Sequence, residues 1–171
     1  MLSTAANANW TSHAAGSRSA GQKLATGRIL GRVELPGHVT AGAARLANEF
    51  FSAQEDQEWS GDPVETYAEP LWLKRGGATW RPSVSHLDME PTGRSTELVI
   101  TAGVDQHIDD FHGPVLLVVL HNDGLKFKQG KVVHVPAAGD WFIFDDRTSH
   151  GVSSAPGRAT FVGWAIPLQP V

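Results

Sequence analysis

Two histidines and one aspartate in the second half of the chain are of residue types that bind transition metals. His107 and Asp109 are separated by one residue, and His150 follows after several apolar segments. Two imidazoles and one carboxylate on one side of an octahedral metal hold Fe(II) and leave three positions open. A closed structural site would instead fill every position with protein ligands. The three residues therefore predict a catalytic metal centre, provided that folding brings them together.

A cation and a hydroxyl follow these residues in the chain. Arg158 and Thr160 are two positions apart in a segment of strand-like composition, so their side chains are expected on the same face. Because that face would also carry apolar residues, burying the guanidinium is costly unless an anion meets it. A guanidinium binds a carboxylate through two parallel hydrogen bonds, and the Thr160 hydroxyl can add another. The alternative is that Arg158 is exposed at the beginning of the strand.

The pattern His-x-Asp occurs three times, so the tripeptide alone does not identify the metal site. The third copy lies in a turn of Asn, Asp and Gly, residues that turns select for their backbone preferences. The first copy precedes no strong strand, and it is the main alternative. The second copy lies between two predicted strands, at the mouth of a barrel, where binding sites of this architecture lie. The copies are His86-Leu87-Asp88, His107-Ile108-Asp109 and His121-Asn122-Asp123.

Short apolar segments separated by Gly and Pro dominate the chain after an N-terminal helix. Apolar residues at helical spacing predict the helix over 39–53. Segments of strand length with turns between them predict a mainly β fold, a sandwich or barrel, with one or two helices covering an outer face. Residues 1–28 are expected to form a flexible arm and 29–171 a single domain. The predicted strands are 29–35, 71–73, 78–84, 98–102, 115–120, 125–127, 131–135, 141–144 and 159–166.

The composition excludes several classes of function. The net charge is −4, and no cluster of basic residues favours nucleic acid or an anionic membrane surface. The chain has no cysteine, so disulfides, zinc–thiolate sites and thiol nucleophiles are excluded. The longest apolar run is too short to cross a membrane. These features favour a cytoplasmic protein that acts on a small molecule; the oligomeric state is not predicted.

The order of these elements resembles the Fe(II)/2-oxoglutarate-dependent dioxygenases over roughly residues 95–167. The matching features are His107-x-Asp109, a strand, a hairpin, a buried strand, His150 and Arg158-x-Thr160. The resemblance implies a double-stranded β-helix (jelly roll), with His107, Asp109 and His150 as iron ligands. It also implies that Arg158 and Thr160 bind the distal carboxylate of 2-oxoglutarate. The implied reaction uses O2, decarboxylates 2-oxoglutarate to succinate and oxidises an unactivated C–H bond of a small-molecule or amino-acid-like substrate.

Several alternatives stay open. The spacing between the first His-x-Asp copy, at His86, and His150 also fits the family. A cupin-type metalloenzyme that does not use 2-oxoglutarate, or a jelly-roll binding protein without chemistry, would have a similar pattern of strands. His112 is either a contact for a metal ligand or a loop residue, and His134 points either into the barrel or out of it. Residues 145–147 are expected to form a solvated turn.

Overall fold

The computed structural model describes residues 24–52, 64–75, 80–109 and 113–171. Their main helix is α1 (Gly37–Ser52), accompanied by the short α2 (Leu71–Lys74) and a 3-10 turn (Ser85–Leu87). None of the described helices is both long enough and apolar enough to cross a membrane. The strands are β1 (Thr26–Arg32), β2 (Val64–Ala68), β3 (Met89–Pro91), β4 (Glu97–Thr101), β5 (Val104–His107), β6 (Pro114–Asn122), β7 (Phe127–Gln129), β8 (Val132–His134), β9 (Asp140–Asp145), β10 (His150–Val152) and β11 (Phe161–Pro170).

The strands form two antiparallel sheets. The larger sheet has the order β1-β9-β6-β11-β4-β2, with β3 paired to the far end of β11, and the smaller sheet has the order β5-β10-β7-β8. Apart from the β7–β8 hairpin, no two neighbouring strands within either sheet are consecutive in the chain, which is typical of a jelly roll. The predicted mainly β jelly roll with N-terminal helices is therefore confirmed.

The two faces of the larger sheet pack against different partners. Along β11 the side chains of Val162, Trp164, Ile166 and Leu168 join the apolar face of α1 in one core cluster. Phe161 and Ala165, which alternate with them, belong to a second cluster between the sheets. Because successive side chains of a strand point to opposite faces, α1 closes the outer face. The opposite face of β11 points into the interior of the jelly roll.

Helix α1 lies close to α2 at a glycine. A Cβ added at Gly42 would lie 2.5 Å from the ring of Trp72, a distance that requires one of the two to move. Trp72 and Leu73 of α2 contribute to the helix-side core. Residues 71–73, predicted as a strand, thus form a helix that closes one end of the outer core.

Some element boundaries differ from the sequence-based prediction. Strand β1 begins at Thr26, inside the segment assigned to the N-terminal arm, and pairs with β9; residues 1–23 lie outside the described part. Strand β2 falls outside all of the predicted strands, and it lies at the edge of the larger sheet with half-buried and exposed residues. The predicted strand over 78–84 is absent from its described residues, 80–84. The last strand begins at Phe161, two residues later than predicted, and extends to Pro170.

Candidate metal centre and cavity

Strands β5 and β10 place two histidines side by side. In this antiparallel pair His107 is the partner of His150, and their ring centroids are 4.4 Å apart. Gly151 permits the close approach, because a Cβ at this position would lie 2.8 Å from the carbonyl oxygen of Val104 on β5. The pairing of two strands that are remote in sequence therefore creates a pair of imidazoles.

Both imidazoles are held in the same orientation by the backbone. Nδ1 of His107 lies 2.8 Å from the carbonyl oxygen of Asp105, and Nδ1 of His150 lies 3.0 Å from that of Thr148. A carbonyl oxygen only accepts hydrogen bonds, so Nδ1 is the donor and carries the hydrogen in both rings. Each neutral ring then has its lone pair at Nε2, the arrangement by which metal-binding histidines are oriented.

Asp109 completes the group. Its Oδ2 lies 3.5 Å from Nε2 of His107 and 3.5 Å from Nε2 of His150. Each of the three residues offers one ligand atom, and these atoms lie within 4.8 Å of one another. With both rings neutral, three lone pairs converge with no hydrogen between them, and a cation would bind all three. The donor set, two imidazoles and one carboxylate, fits Fe(II) with open positions.

The environment of His150 favours the neutral ring. His150 is 6% exposed and packs against the ring of Phe144, with the ring centroids 4.8 Å apart. Burial, and then the neighbouring His107, lower the pKa of His150, although the bond to the Thr148 carbonyl and the charges of Asp109 and Asp146 oppose them. A neutral imidazole is the form that binds metals.

Asp146 is hydrogen-bonded to the segment that carries Asp109. Its backbone carbonyl accepts a hydrogen bond from the N–H of Asp109 at 2.8 Å. Its Oδ1 accepts one from the N–H of Gly113 at 2.6 Å, and its own N–H donates to the Gly113 carbonyl at 3.0 Å. Asp146 is 3% exposed, so the expectation of a solvated turn is wrong for this residue. No spacing in the sequence distinguishes it from Asp145, since the difference arises from contacts with Asp109 and Gly113.

A cavity of about 570 Å³ opens beside the three residues, between the two sheets. Most of its wall is apolar, and none of its described lining residues is a lysine or an arginine. The polar and charged residues in the wall are Thr66, Glu97, Thr101, His107, Asp109, Asp146 and His150. The apolar residues are Val64, Val99, Val104, Val115, Leu117, Phe127, Phe144, Val152, Phe161, Ala165 and Pro167.

The structure does not bring Arg158 and Thr160 to this cavity. Arg158 precedes β11 and is exposed. Thr160 is 1% exposed, but its hydroxyl and its N–H both donate to Oδ2 of Asp123, each at 3.0 Å. The cavity side of β11 carries Phe161 and Ala165 instead. The described wall of the cavity therefore contains no guanidinium that could pair with a dicarboxylate.

The other two His-x-Asp copies form no comparable group. His86 and Asp88 are both exposed, at a 3-10 turn where Asp88 has a φ of 55°. In the third copy Nε2 of His121 lies 3.0 Å from Oδ1 of Asp123. Within the described ranges, His107, Asp109 and His150 are the one group of three or more such residues close enough to share a metal.

His134 lies away from the group formed by His107, Asp109 and His150. Nε2 of His134 lies 2.6 Å from the carbonyl oxygen of Gly27, and its ring packs against Phe127 and Phe142. It thus faces the interior and ties β8 to β1. His112 falls outside the described residues.

Comparison with known proteins identifies solved structures only. No protein-family model matches the chain, and no curated protein does. The structure of EvdMO1 is similar, with a TM-score of 0.54 and 18% identity over 84% of this chain; the chain covers 47% of EvdMO1, about half its length. The non-heme alpha ketoglutarate dependent epimerase SnoN from nogalamycin biosynthesis gives a TM-score of 0.53 and 14% identity over 90% of this chain and 84% of SnoN.

The non-heme monooxygenase ThoJ, in a nickel complex, gives a TM-score of 0.51 and 13% identity over 89% of this chain and 77% of ThoJ. SnoN in complex with Fe3+, alpha ketoglutarate and nogalamycin RO also aligns, with a TM-score of 0.50. At these identities the likeness establishes the shared fold.

Proposed function

We propose that the protein is a non-haem Fe(II) oxygenase that oxidises an unactivated C–H bond of a small molecule, with 2-oxoglutarate as co-substrate. The observation that carries the proposal is the convergence of His107, Asp109 and His150 at one end of a largely apolar cavity. Iron bound there, together with O2 and 2-oxoglutarate, would supply the oxidising power, and 2-oxoglutarate would be converted to succinate and CO2. SnoN, which has the same fold, is an alpha ketoglutarate dependent enzyme, and this supports the choice of co-substrate.

The protein's own contribution is to orient the ligands and to exclude water. Backbone carbonyls hold both imidazoles with Nε2 toward Asp109, so little reorganisation is required when a metal binds. His107, Asp109 and His150 would hold the ion through three positions, and the remaining positions would be open to exchangeable molecules from the cavity. The apolar wall keeps bulk water from a reactive centre and holds the substrate beside it.

Anaerobic titration with Fe(II) and 2-oxoglutarate tests the proposal. The wild-type protein and His121→Ala, the control in the third His-x-Asp copy, should give a weak visible charge-transfer band, and His150→Ala should not. In air the first two should form succinate from 2-oxoglutarate, and His150→Ala should form none. A folded, iron-loaded wild-type protein that gives neither the band nor succinate would contradict the assignment of the co-substrate.

A second candidate is a metalloenzyme on the same jelly roll that does not use 2-oxoglutarate. It is favoured by the described cavity wall, which has no lysine or arginine to pair with a distal carboxylate. Calorimetric titration of the Mn(II)-loaded protein with 2-oxoglutarate separates the two candidates. Saturable binding supports the first, and a Mn(II)-loaded protein that does not bind 2-oxoglutarate supports the second.

Arg158→Ala examines the role that the sequence predicts for this residue. Because Arg158 is exposed and lies outside the cavity wall, we expect the variant to bind 2-oxoglutarate as the wild type does. Loss of binding, with metal affinity retained, would assign Arg158 to the co-substrate as the family resemblance implies.

A further inference from the structure

Glu97 is the charged residue of the cavity wall that neither the three ligands nor their supporting contacts involve. It is the first residue of β4, it is exposed, and it lines the cavity. Within the described part of the chain, no hydrogen bond or ion pair is found for its carboxylate. Asp109 faces the two imidazoles and Asp146 accepts from Gly113, so among the carboxylates of the described wall Glu97 is the one left to pair with a bound molecule.

The neighbours of Glu97 leave space around its side chain. On the larger sheet it is paired with Ala68 of β2 on one side and with Ala165 of β11 on the other. Directly paired residues of antiparallel strands share a face and lie close together. Since both partners are alanine, no long side chain covers the carboxylate from either flank. The carboxylate stands in a gap of the inner face, beside Val99 and Pro167 of the cavity wall.

Glu97 and the metal ligands lie at the same end of the jelly roll. Strand β4 ends at Thr101 and β5 begins at Val104, so a tight bend joins them. Glu97 and His107 are therefore both at the opposite end from this bend, one on each sheet. Packed sheets are separated by about 10 Å, which sets the approximate distance between the Glu97 strand and the metal-binding strand.

The charges of the wall distinguish ligands by their sign. An anionic group beside Glu97 would face its carboxylate, and the described wall has no cation there to compensate it; an unpaired charge is costly to desolvate. The metal attracts an anion only where the anion can coordinate it. A cationic group beside Glu97 gains an ion pair, while the apolar remainder of the molecule contacts Val99, Leu117 and Phe161.

We infer that the cavity binds a molecule that is apolar over most of its length and carries a cationic group, an amine or quaternary ammonium, which pairs with Glu97. This inference deepens the proposed function, because it defines the substrate class of the same cavity.

Three probes of equal chain length test the inference on Mn(II)-loaded protein by calorimetry: octyltrimethylammonium, octan-1-ol and octane-1-sulfonate. The sulfonate is chosen because it is a weak metal ligand. Because an ion pair at an exposed carboxylate is weak, the ammonium probe should bind about 1.4- to fivefold more tightly than the alcohol, and the sulfonate should bind more weakly than the alcohol. The preference should shrink as salt is added.

Two substitutions at Glu97 and one control complete the test. Glu97→Gln should abolish the preference for ammonium over alcohol, and Glu97→Lys should reverse the order of ammonium and sulfonate. Glu34→Gln removes the same charge at an exposed position outside the cavity wall and should leave the order unchanged. If the wild type and the three variants bind octan-1-ol with equal affinity, the substitutions have left the cavity itself intact.

Three results would overturn the inference: a sulfonate that binds as tightly as the ammonium probe, an ammonium preference that survives Glu97→Gln, or failure of all three probes to bind. Failure of the proposed function is recognised separately. In that case the Fe(II) and 2-oxoglutarate titration gives no band, whereas the order of probe affinities depends on the cavity wall alone.

Discussion

The second and third His-x-Asp copies have the same residue types at the same spacing but different surroundings. At the second copy, imidazole and carboxylate are 3.5 Å apart, and a further imidazole reaches the same oxygen. At the third, the two groups are 3.0 Å apart, and the carboxylate also accepts two hydrogen bonds from Thr160. The arrangement at the second copy leaves lone pairs for a cation. At the third copy, the carboxylate instead links the β6–β7 turn to the residue that precedes β11.

The strand that runs alongside each copy explains the difference. Beside β5 lies β10, which brings His150 opposite His107. Beside the end of β6 lies β11, which brings a threonine rather than a histidine to Asp123. The tripeptide therefore does not determine its own chemistry; sheet topology does. Substitutions at the second copy should consequently weaken metal binding, whereas substitutions at the third copy should lower stability and leave metal binding unchanged.

The largest difference is expected from the two aspartates. Asp109→Ala removes a ligand and should weaken Mn(II) binding by more than about a hundredfold, since even the loss of an outer contact costs 10–100-fold. Asp123→Ala is the matched control and should bind Mn(II) as the wild type does. Calorimetric titration measures both. Equal losses in the two variants would mean that the ligand assignment is wrong.

A smaller loss of metal affinity is expected at the residue behind the ligand. Asp146→Ala removes the acceptor of the Gly113 N–H and loosens the segment that holds Asp109, so Mn(II) should bind roughly tenfold more weakly. Asp145→Ala is the control, because Asp145 bonds to Arg147 outside the cavity wall. If both variants bound Mn(II) equally well, Asp146 would have no positioning role.

Thr160→Val should affect the third copy alone. The variant keeps the shape of the side chain but removes the hydroxyl that donates to Asp123, so the free energy of unfolding should fall by about 1 kcal/mol. Urea denaturation measures this loss. Mn(II) affinity should be unchanged, and a loss of affinity would show that the two regions are coupled.

The smallest effect is expected on the free energy of unfolding in acid, through the carboxyl group of Asp123. Burial raises the pKa of Asp123, but the bonds from His121 and Thr160 outweigh it and leave the pKa below its ordinary value. The unfolded chain, with a carboxyl pKa of about 3.9, then binds more protons than the folded protein. This contribution to stability is present above that pKa and is lost as the pH falls through the folded value. In the Asp123→Asn variant the free energy of unfolding should decline less steeply as the pH falls. An unchanged dependence on pH would contradict the lowered pKa of Asp123.

The sequence predicted what depends on residue type and strand order. The three ligands could be proposed because His107 and His150 each adjoin a segment of strand composition, and the structure brings them together. The sequence did not predict where β11 begins. Arg158 precedes the sheet because the strand starts at Phe161, and Phe161 faces the cavity because the even-numbered residues of β11 point to the helix-side core. Strand β2 was also missed, since an edge strand with few buried residues has the composition of a loop.

The alternation along β11 has a practical consequence for redesign. Its even-numbered residues from 162 to 168 belong to the helix-side core, whereas Ala165 and Pro167 border the cavity together with Glu97 and Val99. Substitutions confined to these four wall positions would change the ligands that the cavity accepts without opening voids beneath α1. Directed evolution of specificity can thus draw on one set of residues while another preserves the melting temperature.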